Sequence, residues 1–200
     1  GKNLFANNKD KLGLSKTAYN FMGGIMHSAE ALSAWFNPTI NSYKRINAPV
    51  TASGATWSPN TITYSGNNRT HMIRVPGPGR FELRLMDGAT NPYLLQAGII
   101  AAGLDGIEKK RSPGKPVYLN MYEESHKVKG VKKLPSSLEK SLEHLNNNKI
   151  LKSAFGKTVI DSYIKLKNKE IKKYNSSMTK KLGFRGTHRS KKTNIITQWE

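Results

Sequence analysis

Two short runs of residues, Thr70 to Val75 and Arg80 to Leu85, flank the tetrapeptide Pro76-Gly77-Pro78-Gly79. Proline presets φ and glycine accepts turn conformations closed to other residues, so the tetrapeptide predicts a turn joining two strands. Successive side chains of a strand point to opposite faces. Arg80, Glu82 and Arg84 therefore share one face, and Phe81, Leu83 and Leu85 the other. The second face suits a core, while the first presents plus, minus, plus to a cleft or to water.

The charged face admits two readings. As a solvated surface it is an i, i+2 charge pattern of little energetic weight. As a site it is an anion and metal grip: guanidinium forks match carboxylates and phosphates, and a carboxylate between them suits a hard cation such as magnesium. A nucleotide with an acidic substrate would use both. Arg69 and Arg74 stand next to this pattern, five residues apart. Strict alternation sends them to opposite faces, so they converge only if Arg69 lies in a turn before the strand. Gly66-Asn67-Asn68 is suited to such a turn.

The remainder of the chain reads as mixed helix and loop. Ser15 is an N-cap candidate for a helix in which Tyr19, Phe21, Met22, Ile25, Met26, Ala29, Leu32 and Trp35 recur at helical spacing until Asn37-Pro38 ends it. Gly23-Gly24 in its middle marks a close approach by another element. His27 and Glu30, one turn apart, read as a helix-surface pair. A short turn or helix covers Thr39 to Arg45, and the Thr/Ser/Gly-rich stretch 47–64 reads as a long loop. Asn91-Pro92 opens a helix to about Leu104 that is apolar over most of its circumference and so is expected to be buried. Leu134-Pro135 introduces a helix over Ser136 to Asn146, and a final helix is expected over Val159 to Asn175.

The net charge of +20 is distributed unevenly. Residues 1–107 hold ten Lys/Arg and five Asp/Glu, whereas residues 108–200 hold 23 and eight. The excess lysines have few aromatics among them, which fits a solvated basic surface better than a base-stacking nucleic-acid interface. Cysteine is absent, which excludes disulfides and thiolate metal sites. No apolar run is long enough to span a membrane. A cytoplasmic setting is expected. The chain starts with Gly1 and is expected to be a segment of a longer enzyme, with residues 1–178 in one domain and 179–200 forming a basic tail.

Four motifs follow one another in register: NPTINSYKR (37–45), NNRTHMIRVP (67–76), RFELR (80–84) and NPYLLQAGIIAAGLDGI (91–107). Their order and spacing resemble the C-terminal catalytic domain of the glutamine synthetase family, closely to about Ile107 and more loosely to about Tyr174. SGATWSPN and VPGPGRFELRL are most similar to a branch that includes type III glutamine synthetases and glutamate–methylamine ligases. The resemblance implies an α+β fold, with a curved, mainly antiparallel sheet carrying a polar cleft and helices on its outer face. It implies ATP-dependent amide formation at the γ-carboxylate of glutamate, with Mg or Mn, in a ring-shaped homo-oligomer, with ammonia or methylamine as acceptor.

Carried over by motif, Arg69 would stabilise the transferring phosphoryl group, Arg74 and Arg80 would hold ATP phosphates, Arg45 and Arg84 would bind glutamate, and Glu82 would ligate one divalent ion. One departure stands out. Many family members carry a flap glutamate just before an Ala-Pro pair, where it helps deprotonate the incoming ammonium. This chain reads Arg45-Ile46-Asn47-Ala48-Pro49 and has no acidic residue from Ala31 to Phe81.

Overall fold

The computed structural model describes residues 1–49 and 58–185, with side chains through residue 178. Helix α1 (Lys16–His27) is capped by Ser15, whose hydroxyl accepts from the Ala18 amide at 3.2 Å. The single helix expected here is two: the turn at Ser28 separates α1 from α2 (Ala29–Phe36), which Asn37 closes. This break also undoes the expected His27–Glu30 pair, because the two residues now sit on different helices. The Glu30 carboxylate instead lies 3.8 Å from His144 Nε2. His27 lines a depression with Lys109, Arg111 and Lys132, and burial, then the Arg111 charge, holds its pKa below the usual imidazole value. Thr39 and Ser42 form a reciprocal capping box at the start of α3 (Ile40–Ile46).

A three-stranded sheet follows, in the order β1 (Tyr64–Ser65), β2 (Ile73–Gly77), β3 (Arg80–Leu83). β1 pairs parallel to β2, and β2 antiparallel to β3, so the described part of the expected α+β fold holds a small mixed sheet whose longer pairing is antiparallel. Pro78 and Gly79 occupy the hairpin turn, and Gly79 takes φ of +70°, the conformation that position i+2 of a type II turn demands. The pairs Ile73–Leu83 and Arg74–Glu82 are in register, and a one-residue bulge separates them from Gly77–Arg80. The apolar face packs on the N-terminal loop and α1: Phe81 stacks on Phe5 at 5.8 Å and meets Phe21 at 6.3 Å, while Ile73 and Leu85 are fully buried.

Helix α4 (Pro92–Glu108), capped by Asn91, crosses α1 at near backbone contact. A methyl group on Gly24 would stand 2.0 Å from the Ala102 carbonyl oxygen, and one on Gly106 would stand 2.2 Å from that of Asn20. This close approach is what Gly23-Gly24 foretold. The expected burial of α4 holds for one side only. Gly98, Ala102, Gly103 and Gly106 are buried, while Tyr93, Ile100 and Leu104 are 83%, 53% and 56% exposed. The packed side meets α1, α2 and α7, with Leu94, Leu95 and Ile99 partly buried against the core, while Tyr93, Ile100 and Leu104 stay open among the described residues.

Beyond a short α5 (Met121–Glu124) and one 3₁₀ turn, α6 (Leu138–Asn147), α7 (Lys149–Phe155) and α8 (Lys157–Arg185) close the second half of the core. Trp35 is its centre, edge-on to Phe155 at 4.9 Å and to Tyr163 at 6.4 Å. The Tyr163 hydroxyl donates to the Ala34 carbonyl at 2.7 Å. α8 runs without a break through residues 178 and 179, and the remaining part of the expected tail, 186–200, lies outside the described residues. No helix among the described residues is long and apolar enough to cross a membrane.

Candidate functional site

The polar face of the hairpin gathers three of the six residues singled out by sequence. Glu82 stands opposite Arg74 on the neighbouring strand and two positions before Arg84, which lies just past the end of β3, so both arginines reach it. Arg74 Nη1 donates to Glu82 Oε2 at 2.8 Å, and Arg84 Nη1 donates to Oε1 at 2.7 Å. The Arg74 hydrogen bond, followed by that from Arg84, keeps the Glu82 carboxyl below the ordinary carboxylate pKa despite opposing desolvation. The carboxylate side chain is 39% exposed, so this face is open to solvent.

Each guanidinium is fixed a second time by the turn that precedes β2. Arg74 Nε donates to Asn67 Oδ1 at 2.8 Å, and Arg84 Nε to the Arg69 carbonyl at 3.0 Å. The turn itself is held by Asn68, whose side-chain oxygen accepts from the Thr70 amide at 2.9 Å and the Thr70 hydroxyl at 2.7 Å. Arg69 thus lies in a turn beside the pair, as convergence requires, with its side chain exposed. Asn67 was missed as a site residue; its only signal was its place in a Gly-Asn-Asn turn.

Arg80 and Arg45 sit apart from this cluster. Arg80 is exposed at the hairpin turn, and its side chain makes no hydrogen bond or ion pair among the described residues. Arg45 points into the protein: Nη1 donates to Ser58 Oγ at 2.6 Å, and Nη2 to Asn37 Oδ1 at 2.7 Å and the Leu85 carbonyl at 2.9 Å. Its Nε is buried without a partner, and desolvation lowers its pKa. Leu85 follows Arg84 directly, so Arg45 is tied to the backbone just past β3 rather than to Glu82. Two depressions on the described surface, one between α6 and α8 and one beside the Lys109–Val117 loop, are lined by none of the six residues.

As a cation site the arrangement offers one acid. Each Glu82 oxygen accepts one bond and keeps a lone pair, so the carboxylate can add a hard cation without losing either arginine. No group of three or more His, Cys, Asp or Glu capable of holding a metal occurs among the described residues. Of the six residues, Glu82 alone could offer oxygen ligands to a cation.

The family model for the glutamine synthetase catalytic domain matches residues 1–182. A glutamine synthetase of Rhizobium meliloti is 56% identical over 177 residues, covering 88% of this chain and 41% of that protein. A glutamate–methylamine ligase of Methyloversatilis universalis is 44% identical over 178 residues, covering 86% and 40%. A solved GmaS/ADP complex superposes with a TM-score of 0.82 at 52% identity, covering 88% of this chain and 40% of that one. The chain thus spans about two fifths of the length of the relatives it matches. With motif order, fold and matched residues in agreement, the chain belongs to the glutamine synthetase family and carries part of its catalytic domain.

Proposed function

We propose that this chain is the phosphate- and glutamate-gripping part of an ATP-dependent carbon–nitrogen ligase that makes glutamine from glutamate and ammonia. A γ-carboxylate oxygen of glutamate attacks the γ-phosphorus of ATP, and ADP leaves. Ammonia then attacks the carbonyl carbon of γ-glutamyl phosphate, phosphate leaves, and the amine nitrogen gives up a proton to a base. The observation that carries the proposal is the Arg74–Glu82–Arg84 cluster beside the Arg69 turn.

Phosphoryl transfer asks mainly for positioning and for charge neutralisation. Arg69, exposed and next to the pair, is suited to the transferring phosphoryl group. Arg74 and Arg80 would take the ATP phosphates, and Arg84 and Arg45 the glutamate carboxylate. For Arg45 this requires exchanging the present Asn37, Ser58 and Leu85 contacts or acting through them. Glu82 would hold one divalent ion, Mg or Mn, which when bound neutralises phosphate charge. A ring-shaped homo-oligomer belongs to the same proposal.

The absence of acid from Ala31 to Phe81 favours a second reading, glutamate–methylamine ligase, in which a different amine is deprotonated by a different base. Phosphate release by the full-length enzyme, with ammonium and methylamine assayed side by side under saturating ATP and glutamate, separates the two. Faster turnover with ammonium supports glutamine synthesis, and faster turnover with methylamine supports the second reading. Glutamate-independent or absent phosphate release with both amines would sink the pair.

A further inference from the structure

We propose that His71 is a positioning residue for Arg69, fastening the Arg69 turn to the backbone of Leu119–Met121. The proposal rests on the ligase reading, in which Arg69 meets the transferring phosphoryl group.

Of the four residues from 68 to 71, three bind the 119–121 segment through their side chains. Asn68 Nδ2 and His71 Nε2 both donate to the Leu119 carbonyl at 3.1 Å. The Thr70 hydroxyl oxygen accepts from the Met121 amide at 2.9 Å. Arg69, the fourth, is exposed. The segment is therefore pinned on both sides of Arg69.

The ring of His71 is fully buried, and its protonation is fixed by its partners. A carbonyl can only accept, so Nε2 carries the proton toward Leu119. Nδ1 then offers a lone pair, which accepts from the Thr63 hydroxyl at 3.0 Å. The Thr63 carbonyl in turn accepts from the Ile73 amide at 3.1 Å, where β2 begins. His71 thus spans from the lead-in of β1 to the 119–121 segment with a directional bond at each end. Filling space would need only an apolar side chain, and a tether needs both bonds.

If the ring bonds are lost, the link from the turn to the 119–121 segment rests on Asn68 and Thr70. Displacement of a catalytic group by about an ångström can slow chemistry by on the order of 100-fold while leaving binding little changed. The test uses the full-length enzyme with His71→Leu, which keeps bulk but no bonds, and His71→Gln, whose amide can donate toward Leu119 and accept from Thr63. His71→Leu is expected to lower kcat by about tenfold or more. The KM values for ATP and glutamate should stay within about twofold. His71→Gln should recover most of the rate. In an Arg69→Ala background, His71→Leu should add no further loss, since both act through one group. Amide hydrogen exchange across residues 66–71 should quicken in His71→Leu and not in His71→Gln.

A folded His71→Leu enzyme with wild-type kcat overturns the proposal, as does an equal loss in the Arg69→Ala background or no recovery with Gln. If His71→Leu does not fold, Thr63→Val decides, with unchanged kcat and exchange counting against the tether. If Arg69→Ala turns over at the wild-type rate, it is the catalytic role of Arg69 that fails. The tether is then judged by exchange alone, and unaltered protection of 66–71 in His71→Leu overturns it.

Discussion

Arg84 Nε donates to the main-chain carbonyl of Arg69 at 3.0 Å, although the two residues are 15 apart in sequence. The same guanidinium donates from Nη1 to Glu82. Two bonds in different directions fix the plane of the fork and leave the Nη2 edge without a partner among the described residues. A side chain held this way is pre-oriented for a planar acceptor, which is what binding a carboxylate requires.

Replacing Arg84 should therefore affect glutamate more than ATP. In the full-length enzyme, Arg84→Ala is expected to raise the glutamate KM by on the order of tenfold or more, the scale of one lost charge-assisted hydrogen bond, with a much smaller change for ATP. Arg84→Lys should recover little of this, because an ammonium cannot serve Glu82, the Arg69 carbonyl and a substrate in one plane. Steady-state kinetics in each substrate checks both variants, and a larger rise for ATP would remove Arg84 from the glutamate site.

Glu82 offers a separation of stability from activity. Its two ion pairs are partly solvated, and pairs of this kind contribute about 0–1 kcal/mol. Glu82→Ala should therefore leave the unfolding midpoint nearly unchanged. Metal-dependent phosphoryl transfer should fall by on the order of 100-fold, as expected when a charge-stabilising group at a transferring phosphoryl is removed. Normal activity over a range of Mg concentrations would rule out a ligand role.

The crossing of α1 and α4 leads to a prediction opposite to the helix-propensity rule. Alanine in place of a mid-helix glycine ordinarily stabilises by roughly 1 kcal/mol. At Gly24 the added methyl would lie 2.0 Å from the Ala102 oxygen and 2.7 Å from the Gly106 Cα, both backbone atoms that cannot swing aside. Forced overpacking costs about 1–3 kcal/mol and here the helices must separate, so Gly24→Ala should be net destabilising. A higher melting temperature in the variant would contradict the close crossing.

The site was legible where side-chain period and turn chemistry alone decide. The alternation in Arg80–Leu85 anticipated that Glu82 and Arg84 meet, and the Gly66-Asn67-Asn68 turn that Arg69 lies beside them, because these patterns are local; the same alternation grouped Arg80 with them, and Arg80 stands apart at the hairpin turn. Arg45 is different. Its partners Asn37, Ser58 and Leu85 come from three segments, and no local pattern announces such a meeting. The split between α1 and α2 was hidden by apolar spacing that continues across Ser28. The exposed stripe of α4 was hidden for a related reason: apolar content reports what a helix can bury, while tertiary contacts decide which side is buried.

His71 should make stability depend on pH in a direction set by its burial. Desolvation lowers its folded-state pKa below the ordinary imidazole value of 6.5, outweighing the Leu119 carbonyl, which favours the protonated ring. Above neutrality the ring is neutral in both folded and unfolded chains and adds no pH dependence. As pH falls through about 6.5 the unfolded chain takes up a proton that the folded one resists, so stability drops until the folded-state pKa is reached. His27, lowered mainly by its own burial, contributes in the same sense. The melting temperature of the full-length protein, at fixed concentration and ionic strength, should therefore fall between about pH 7 and pH 5. In His71→Gln the fall should be shallower but not absent, since His27 remains. Identical slopes for the two proteins would show that His71 takes up its proton equally well folded and unfolded, which the two-sided hydrogen bonding of a fully buried ring forbids.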